Sequence, residues 1–592
     1  MNHRISTAIF FIGLCCFASH LRAADANVTM TLNGQPATVG DYKPADVQTL
    51  TLSNGLISIT FGSDGSATSL IKNGQELIHN LNGDAERDPN RQRSFYIDYN
   101  AGRGGLKPDT IRIVKSTPDF AHIAIIDSGS TGDLPLEHHM IVTRGVSGVY
   151  GYVILNSGDR QRNINELRTM YRLDRSIFDW AYNDERVGQQ MTYAQLRQIP
   201  MMQDDTWKLP SGEIYQKYDY SAYFVECPMW GHYGHGFGVF YMPISTEYYG
   251  GGPLKQELII HQDALILNYI QGEHYGAGNL SMPANSAKLF GPWLVYVAAG
   301  ADNNAVIADA KAAATAEQAK WPYQWMDEPL YPLNRTTVTG QLQVADGRSP
   351  AGAWVILGGP QSEIYTQKGG YMFYTHADDS GKFTFQNVRP GTYSLFAFAT
   401  QGTITQQLQK DGIDVSGPSV DLGTVVWSPP KYNNFLWQIG KSDRMSDEFK
   451  YGDQLRNLKW IGMVPADLTF TIGQSKDSDD WYFAQGKVGS WDVNFNLDKT
   501  YTGNAHLTVA IAGVSNNPRL SILVNGQNVK DLSYGNDSAT YRSALRSARY
   551  YLAPIDFPAS LLKEGTNTIS FKMTAVGKNG GIMYDTIILE AD

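Results

Sequence analysis

Three short segments combine side chains that bind carboxylates or move protons. If Glu166-Leu167-Arg168-Thr169-Met170-Tyr171-Arg172 forms a strand, Arg168, Met170 and Arg172 share one face, with the two arginines about 13 Å apart. That spacing suits two carboxylates on alternate residues of an acidic polymer, and it equally suits a solvated row of charges on a sheet edge. In Ile214-Tyr215-Gln216-Lys217-Tyr218-Asp219-Tyr220 a lysine stands among aromatic residues. On a strand it would be partly desolvated, which lowers its pKa toward that of a usable base. Alternatively its stem lies over the rings and its ammonium stays in water. Asn268-Tyr269-Ile270-Gln271-Gly272-Glu273-His274-Tyr275-Gly276 carries a strand into a glycine turn with one histidine. Such a side chain suits proton donation near neutrality, or a structural hydrogen bond.

Other familiar chemistries are missing from the chain. It has no phosphate-cradling glycine loop, no Gly-x-Ser-x-Gly elbow and no cysteine metal knuckle. His232-x-x-His235 is half of a metal pattern, but it lies in a glycine-rich turn without a third ligand, so a structural role is expected.

The elements that would position these segments are strands. From residue 50 to about 300 short alternating runs recur between Gly, Asn and Asp, as at Leu52–Phe61, Ala121–Ile126, Val149–Leu155, Gly238–Tyr241 and Leu258–Leu267. Runs at that spacing predict a large antiparallel sandwich. Helical periodicity appears around Asn304–Ala319. A smaller sandwich is predicted from about Arg335 to Trp427, punctuated by Asp379-Ser380-Gly381 and Pro390-Gly391 turns. Ser428-Pro429-Pro430 then makes a stiff linker before a third strand-rich unit that begins near Tyr432.

With 592 residues the chain is too long for one core. Its 12% aromatic content, with 34 Tyr and 12 Trp, suits strands and also sugar-stacking surfaces. A net charge of −10 argues against nucleic acid or an anionic membrane as partner. An acidic substrate would need a local basic cluster. Arg4, the apolar run Ile5–Ala18 and the small residues Ala23, Ala24 and Ala26 read as an export signal, which predicts a secreted or periplasmic protein. Cys15 and Cys16 would leave with it, so Cys227 would stand alone and no internal disulfide is expected.

Taken in order, Glu137-His138-His139-Met140, Val146-Ser147-Gly148-Val149-Tyr150, the Arg168/Arg172 strand, Lys217-Tyr218, Gly272-Glu273-His274-Tyr275 and Phe290-Gly291-Pro292-Trp293 form a specific set. Arg389-Pro390-Gly391-Thr392-Tyr393 and Leu436-Trp437-Gln438-Ile439-Gly440 extend it. With them, the chain from Leu52 to its end resembles a rhamnogalacturonan lyase of polysaccharide lyase family 4. The resemblance implies an all-β protein. A signal peptide would occupy 1–24, a galactose-mutarotase-like catalytic β-sandwich 25–330, a fibronectin type III-like domain 331–430 and a jelly-roll carbohydrate-binding-like domain 431–592. It implies β-elimination at rhamnose-galacturonate bonds of the pectic polysaccharide rhamnogalacturonan I. Lys217 would be the base, His274 the acid, and Arg168, Arg172 and Tyr269 would bind substrate.

That chemistry removes a weakly acidic C5 proton beside a carboxylate, so cations must neutralise the growing charge. A basic cluster could do so without calcium, and would also hold Lys217 partly neutral. No cofactor or metal is therefore expected, and a monomer is. Two other functions stay open on the residues: a non-catalytic carbohydrate-binding protein, and a hydrolase or epimerase on the same scaffold.

Overall fold

A computed structural model describes residues 26–78, 93–130, 134–360, 363–367, 369–453, 456 and 460–592. The leader expected at residues 1–24, with Cys15 and Cys16, lies outside them. The protein is mostly β, as expected. Cys227 is buried and unpaired, and no helix among the described residues is long and apolar enough to cross a membrane.

The first part of the chain builds a ten-stranded antiparallel sheet. Its order runs from Val187–Gln189 through Trp180–Tyr182, Trp230–Gly234, Phe237–Met242, Ala287–Ala299, Gly148–Asn156, Leu136–Thr143, Phe120–Asp127 and Thr110–Thr117 to Gly40–Tyr42. One face packs on a core shared with a six-stranded and a five-stranded sheet, through residues such as Ile123, Val153, Trp230 and Ile266. The other face carries Tyr150, Phe240 and Leu294 and is covered by helix Asn303–Gln318 through Val306, Ala310 and Ala314. Asp302 caps that helix, its carboxylate accepting from the Ala305 amide at 2.9 Å.

Two long runs are broken where the alternation suggested continuity. Leu52–Phe61 divides between strands Leu50–Ser53 and Ser58–Phe61, because the Asn54 side chain accepts from the Leu56 and Ile57 amides and makes a turn. Leu258–Leu267 folds back at Asp263 and Ala264, both at positive φ, to pair Ile260–His261 with Leu265–Gln271.

Two further cores follow along the chain. One lies between a three-stranded sheet (Lys382–Val388, Thr336–Val344, Ser419–Trp427) and a four-stranded sheet (Phe373–His376, Trp354–Gly358, Gly391–Phe398, Leu408–Val415). The other lies between a four-stranded sheet ending the chain at Gly581–Ala591 and a five-stranded sheet built around Gly565–Ala575. This last core also takes in Tyr218 and Tyr275, which belong to the segments that carry Lys217 and His274.

Candidate active site

Strand Leu167–Arg172 lies in the middle of the five-stranded sheet, between Leu265–Gln271 and Tyr96–Tyr99. Its period of two sets Arg168 and Arg172 on one face, as the spacing predicts. Register then supplies their partners. Arg168 stands opposite Asp98 on one side and Tyr269 on the other. Its Nε and Nη2 donate to the two Asp98 oxygens at 2.5 and 3.1 Å, and Nη1 donates to the Tyr269 hydroxyl at 2.6 Å. Glu166 is 3.6 Å away. Burial opposes the Arg168 charge, but these neighbours outweigh it and raise its pKa. Arg172 is nearly buried, and its Nε donates to the Tyr96 hydroxyl at 3.0 Å.

Lys217 departs from expectation in two ways. It opens a 3-10 turn, Lys217–Tyr220, instead of lying on a strand. The reason is local: Gln216 ends strand Ile214–Gln216, and its amide donates to Asp219 within a capping box. Its charge also runs the other way. Strands Met201–Gln203 and Thr206–Lys208 turn at Asp204-Asp205, and Thr206 pairs with Gln216, so the turn faces Lys217. Nζ lies 3.0 Å from Asp204 and 3.2 Å from Asp205. Burial favours the neutral amine, yet the two carboxylates overcome it and raise the pKa of Lys217. The cations of the site are interleaved with carboxylates, so they do not depress Lys217 as a purely basic cluster would.

His274 follows the strand end as expected, and its partner is Glu257. Nδ1 lies 2.6 Å from Glu257 Oε2, while the His274 amide donates to Oε1 at 3.2 Å. Glu257 is fully buried. Burial pushes its pKa up, but His274 and Lys255 more than offset this and hold it below the usual carboxylate value. On the other edge Nε2 is 3.7 Å from Glu166. Both ring nitrogens therefore face carboxylates. Tyr269 packs edge-on against the imidazole, 5.0 Å between centroids.

These segments meet. Lys217 Nζ is 5.1 Å from the Tyr218 ring centroid, and the His274 ring is 5.9 Å from the same ring, so Lys217 and His274 both lie against one tyrosine. His261, on the strand paired with Leu265–Gln271, is held neutral by burial and then by the charges of Lys217, Arg172 and Arg168. The structure thus brings the five expected residues into one neighbourhood, linked through Tyr269, Tyr218 and His261.

The sequence did not point to Asp98, Asp204, Asp205, Glu257 or His261 as partners. It also hid Arg542, which comes from the third core. Arg542 donates to the Tyr218 hydroxyl at 2.9 Å and to the His274 carbonyl, and its guanidinium stands 4.2 Å over the Tyr218 ring. Nothing in the sequence near Asp204-Asp205 marks Lys217 as its target. By contrast His232-x-x-His235 holds no metal geometry: His232 is buried against the Leu265 carbonyl, while His235 is exposed at φ 50°.

A cavity of about 790 Å³ opens beside this site, lined by His274, Glu166 and Arg542 among others. It gives the histidine a solvent-filled space in which a ligand can sit.

Comparison with known proteins bears on the whole chain. Family models described as polysaccharide lyase family 4, domain II and domain III match residues 347–421 and 435–589. A rhamnogalacturonate lyase of Dickeya dadantii is 42% identical over 552 residues, 91% of this chain and 93% of that protein. A probable rhamnogalacturonate lyase B of Aspergillus niger is 22% identical over 89% of this chain and 86% of its own. Among solved structures, a family 35 carbohydrate binding module from an environmental isolate covers 21% of this chain and is itself 80% covered, at 15% identity and a TM-score of 0.15.

Proposed function

The chain belongs to the rhamnogalacturonate lyases of polysaccharide lyase family 4, and on that footing we propose how its cleft cuts rhamnogalacturonan I. The reaction is β-elimination at the rhamnose-(1→4)-galacturonate bond, which leaves an unsaturated galacturonate end. Lys217 takes the C5 proton. Arg172 and Arg168 stabilise the charge that spreads onto the neighbouring carboxylate, and Tyr269 holds Arg168 in place. His274 protonates the departing C4 oxygen from Nε2 while Glu257 steadies Nδ1. The observation that carries this assignment is that Lys217 and His274 both lie against the Tyr218 ring, 5.1 and 5.9 Å from its centroid, and that Tyr269, bonded to Arg168, packs on the same imidazole.

In the free enzyme Lys217 is an ammonium held by two carboxylates, so its neutral, basic form grows with pH. The rate of proton abstraction should follow. An opposed pair of carboxylates, as a hydrolase uses, is poorly served here, because Glu257 is fully buried against His274. We further place the reaction outside the cytoplasm, on the strength of Arg4 and the apolar run after it, and assign the active form to a monomer working without a metal.

Incubation with rhamnogalacturonan I, followed by ultraviolet absorbance and product mass, tests the reaction. Conjugated, unsaturated ends should accumulate, and chelator should leave their rate nearly intact. Lys217→Ala and His274→Ala should lose turnover by at least about a hundredfold while still binding the polymer. Saturated products, or folded variants with near-normal turnover, would overturn the assignment.

A further inference from the structure

Next to the cleft the loop that supplies Arg542 continues to a cation the lyase reaction does not use. The Ser547 hydroxyl and the Ala548 amide both donate to the Tyr275 carbonyl, at 3.2 and 2.9 Å. This ties the loop to the residue after His274. A Cβ on Gly276 would lie 3.6 Å from the Arg549 Cβ, so the stem of Arg549 starts beside the histidine turn. Two residues of chain separate Gly276 from His274, a span of at most about 7 Å.

Arg549 is exposed and differs from the other third-core arginines near the first core. Arg542 pairs with Asp204, Arg546 with Glu226, and Arg456 with Glu185. Arg549 has neither an ion pair nor a side-chain hydrogen bond among the described residues. Its guanidinium lies near two rings, 4.9 Å from the centroid of Tyr551 and 5.3 Å from that of Tyr365. Two cavities adjoin at this position. Arg549, Tyr551 and Tyr534 line both the 790 Å³ cavity that His274 borders and a second of about 440 Å³, which reaches Tyr365 and Glu363. A polymer that extended from the first cavity toward the second would run along these shared residues.

Two of the acids lining the first cavity are engaged elsewhere. Asp537 is turned inward, where its carboxylate accepts from the Val514 and Ala539 amides. Glu166 faces Arg168 and His274. An unmatched guanidinium with two aromatic rings near it suits a sugar that carries a carboxylate: the rings offer faces to the pyranose and the fork meets the acid.

We propose that Arg549, with Tyr551 and Tyr365, forms a distal subsite that grips a galacturonate carboxylate of the same polymer chain, away from the bond being cut. This rests on the acidic-polymer substrate stated above. The subsite couples the third core to catalysis through chain length: fragments that reach it bind tighter, and shorter ones do not benefit.

The test compares wild type, Arg549→Ala and Arg549→Lys on rhamnogalacturonan fragments of graded, defined length. Long fragments should lose about tenfold in kcat/KM with Arg549→Ala, through KM, as expected for one charge-assisted contact. The loss should shrink toward the shortest cleavable fragment, Arg549→Lys should recover part of it, and added salt should erase it. Tyr365→Ala should reproduce the length dependence more weakly. A loss equal at every length, or no loss on long fragments, overturns the subsite while leaving the lyase reaction standing. A wild type that yields no unsaturated product from any fragment removes the lyase reaction and the subsite together.

Discussion

At Lys217, burial and charge pull in opposite directions, and the two aspartates win. Asp204 also takes the Tyr218 hydroxyl at 2.5 Å, and burial fails to lift its pKa, which Lys217 and Tyr218 hold at about 2. Asp205 touches Lys217 twice, through its carboxylate and through its carbonyl, which accepts from the Lys217 amide. It sits at φ 38°, a conformation asparagine tolerates. Asp205→Asn should therefore keep the turn and remove one charge. The sign follows from the raised pKa. Below it the lysine is protonated and idle as a base, so kcat/KM should climb with pH through neutrality. Without the Asp205 charge the pKa falls, the rising limb moves to lower pH, and activity at neutral pH increases. A pH–rate profile of the variant checks this. An unmoved or alkaline-shifted limb would show that Lys217 is not the group titrating.

Among the elements, the turn from Gly272 to Gly276 has the least room to vary. Gly276 has φ 83°, and a Cβ there would stand 2.2 Å from Ser547 Oγ and 3.1 Å from Asp537 Cβ. The glycine thus permits both the backbone bend after His274 and the close approach of the third-core loop. Gly276→Ala should cost about 1–3 kcal/mol of stability and misplace His274, so that turnover falls by more than the folded fraction does. Thermal melts alongside activity per folded molecule measure both. Ser547→Gly added to Gly276→Ala removes the nearest clash and should restore part of the activity. Failure of that rescue would leave the backbone strain, and not the packing, as the cause.

Across the whole molecule, arginines join the parts. Glu247, buried in the first part, receives Arg335 at 2.6 Å and Arg389 at 2.8 Å, both nearly buried themselves. Removing the shared carboxylate leaves two cations unpaired in a dry place. Glu247→Ala should destabilise by about 3–5 kcal/mol, and Glu247→Gln by less, because the amide oxygen still accepts. Chemical denaturation followed by tryptophan fluorescence measures the difference; equal stability of wild type and Glu247→Ala would mean that water replaces the carboxylate. The third part is joined through ion pairs and rings together: Arg456 lies over Tyr275, Arg542 over Tyr218 and Arg546 over Tyr223, and they pair with Glu185, Asp204 and Glu226. It therefore contributes Arg542 to the candidate site, against Tyr218 and the His274 carbonyl.

The all-β character, the helix and the shared face of Arg168 and Arg172 were legible in the sequence, because each depends on a period written within a few neighbouring residues. His274 could be placed after its strand for the same reason. The 3-10 turn at Lys217 was not, since the aromatic residues around it alternate as a strand would and its Gln216/Asp219 capping box lies within that alternation. The charge states were out of reach altogether. A pKa answers to neighbours in space, and these are far along the chain: Asp98 is 70 residues from Arg168, Glu257 is 17 from His274, and Arg542 is 268 from the carbonyl it meets. The sequence by itself determined which side chains were available and which faces they take. Whether Lys217 is an amine or an ammonium, and which part of the chain closes the cleft over His274, only the tertiary structure decided, because Coulomb energy depends on distance and strand register sets that distance.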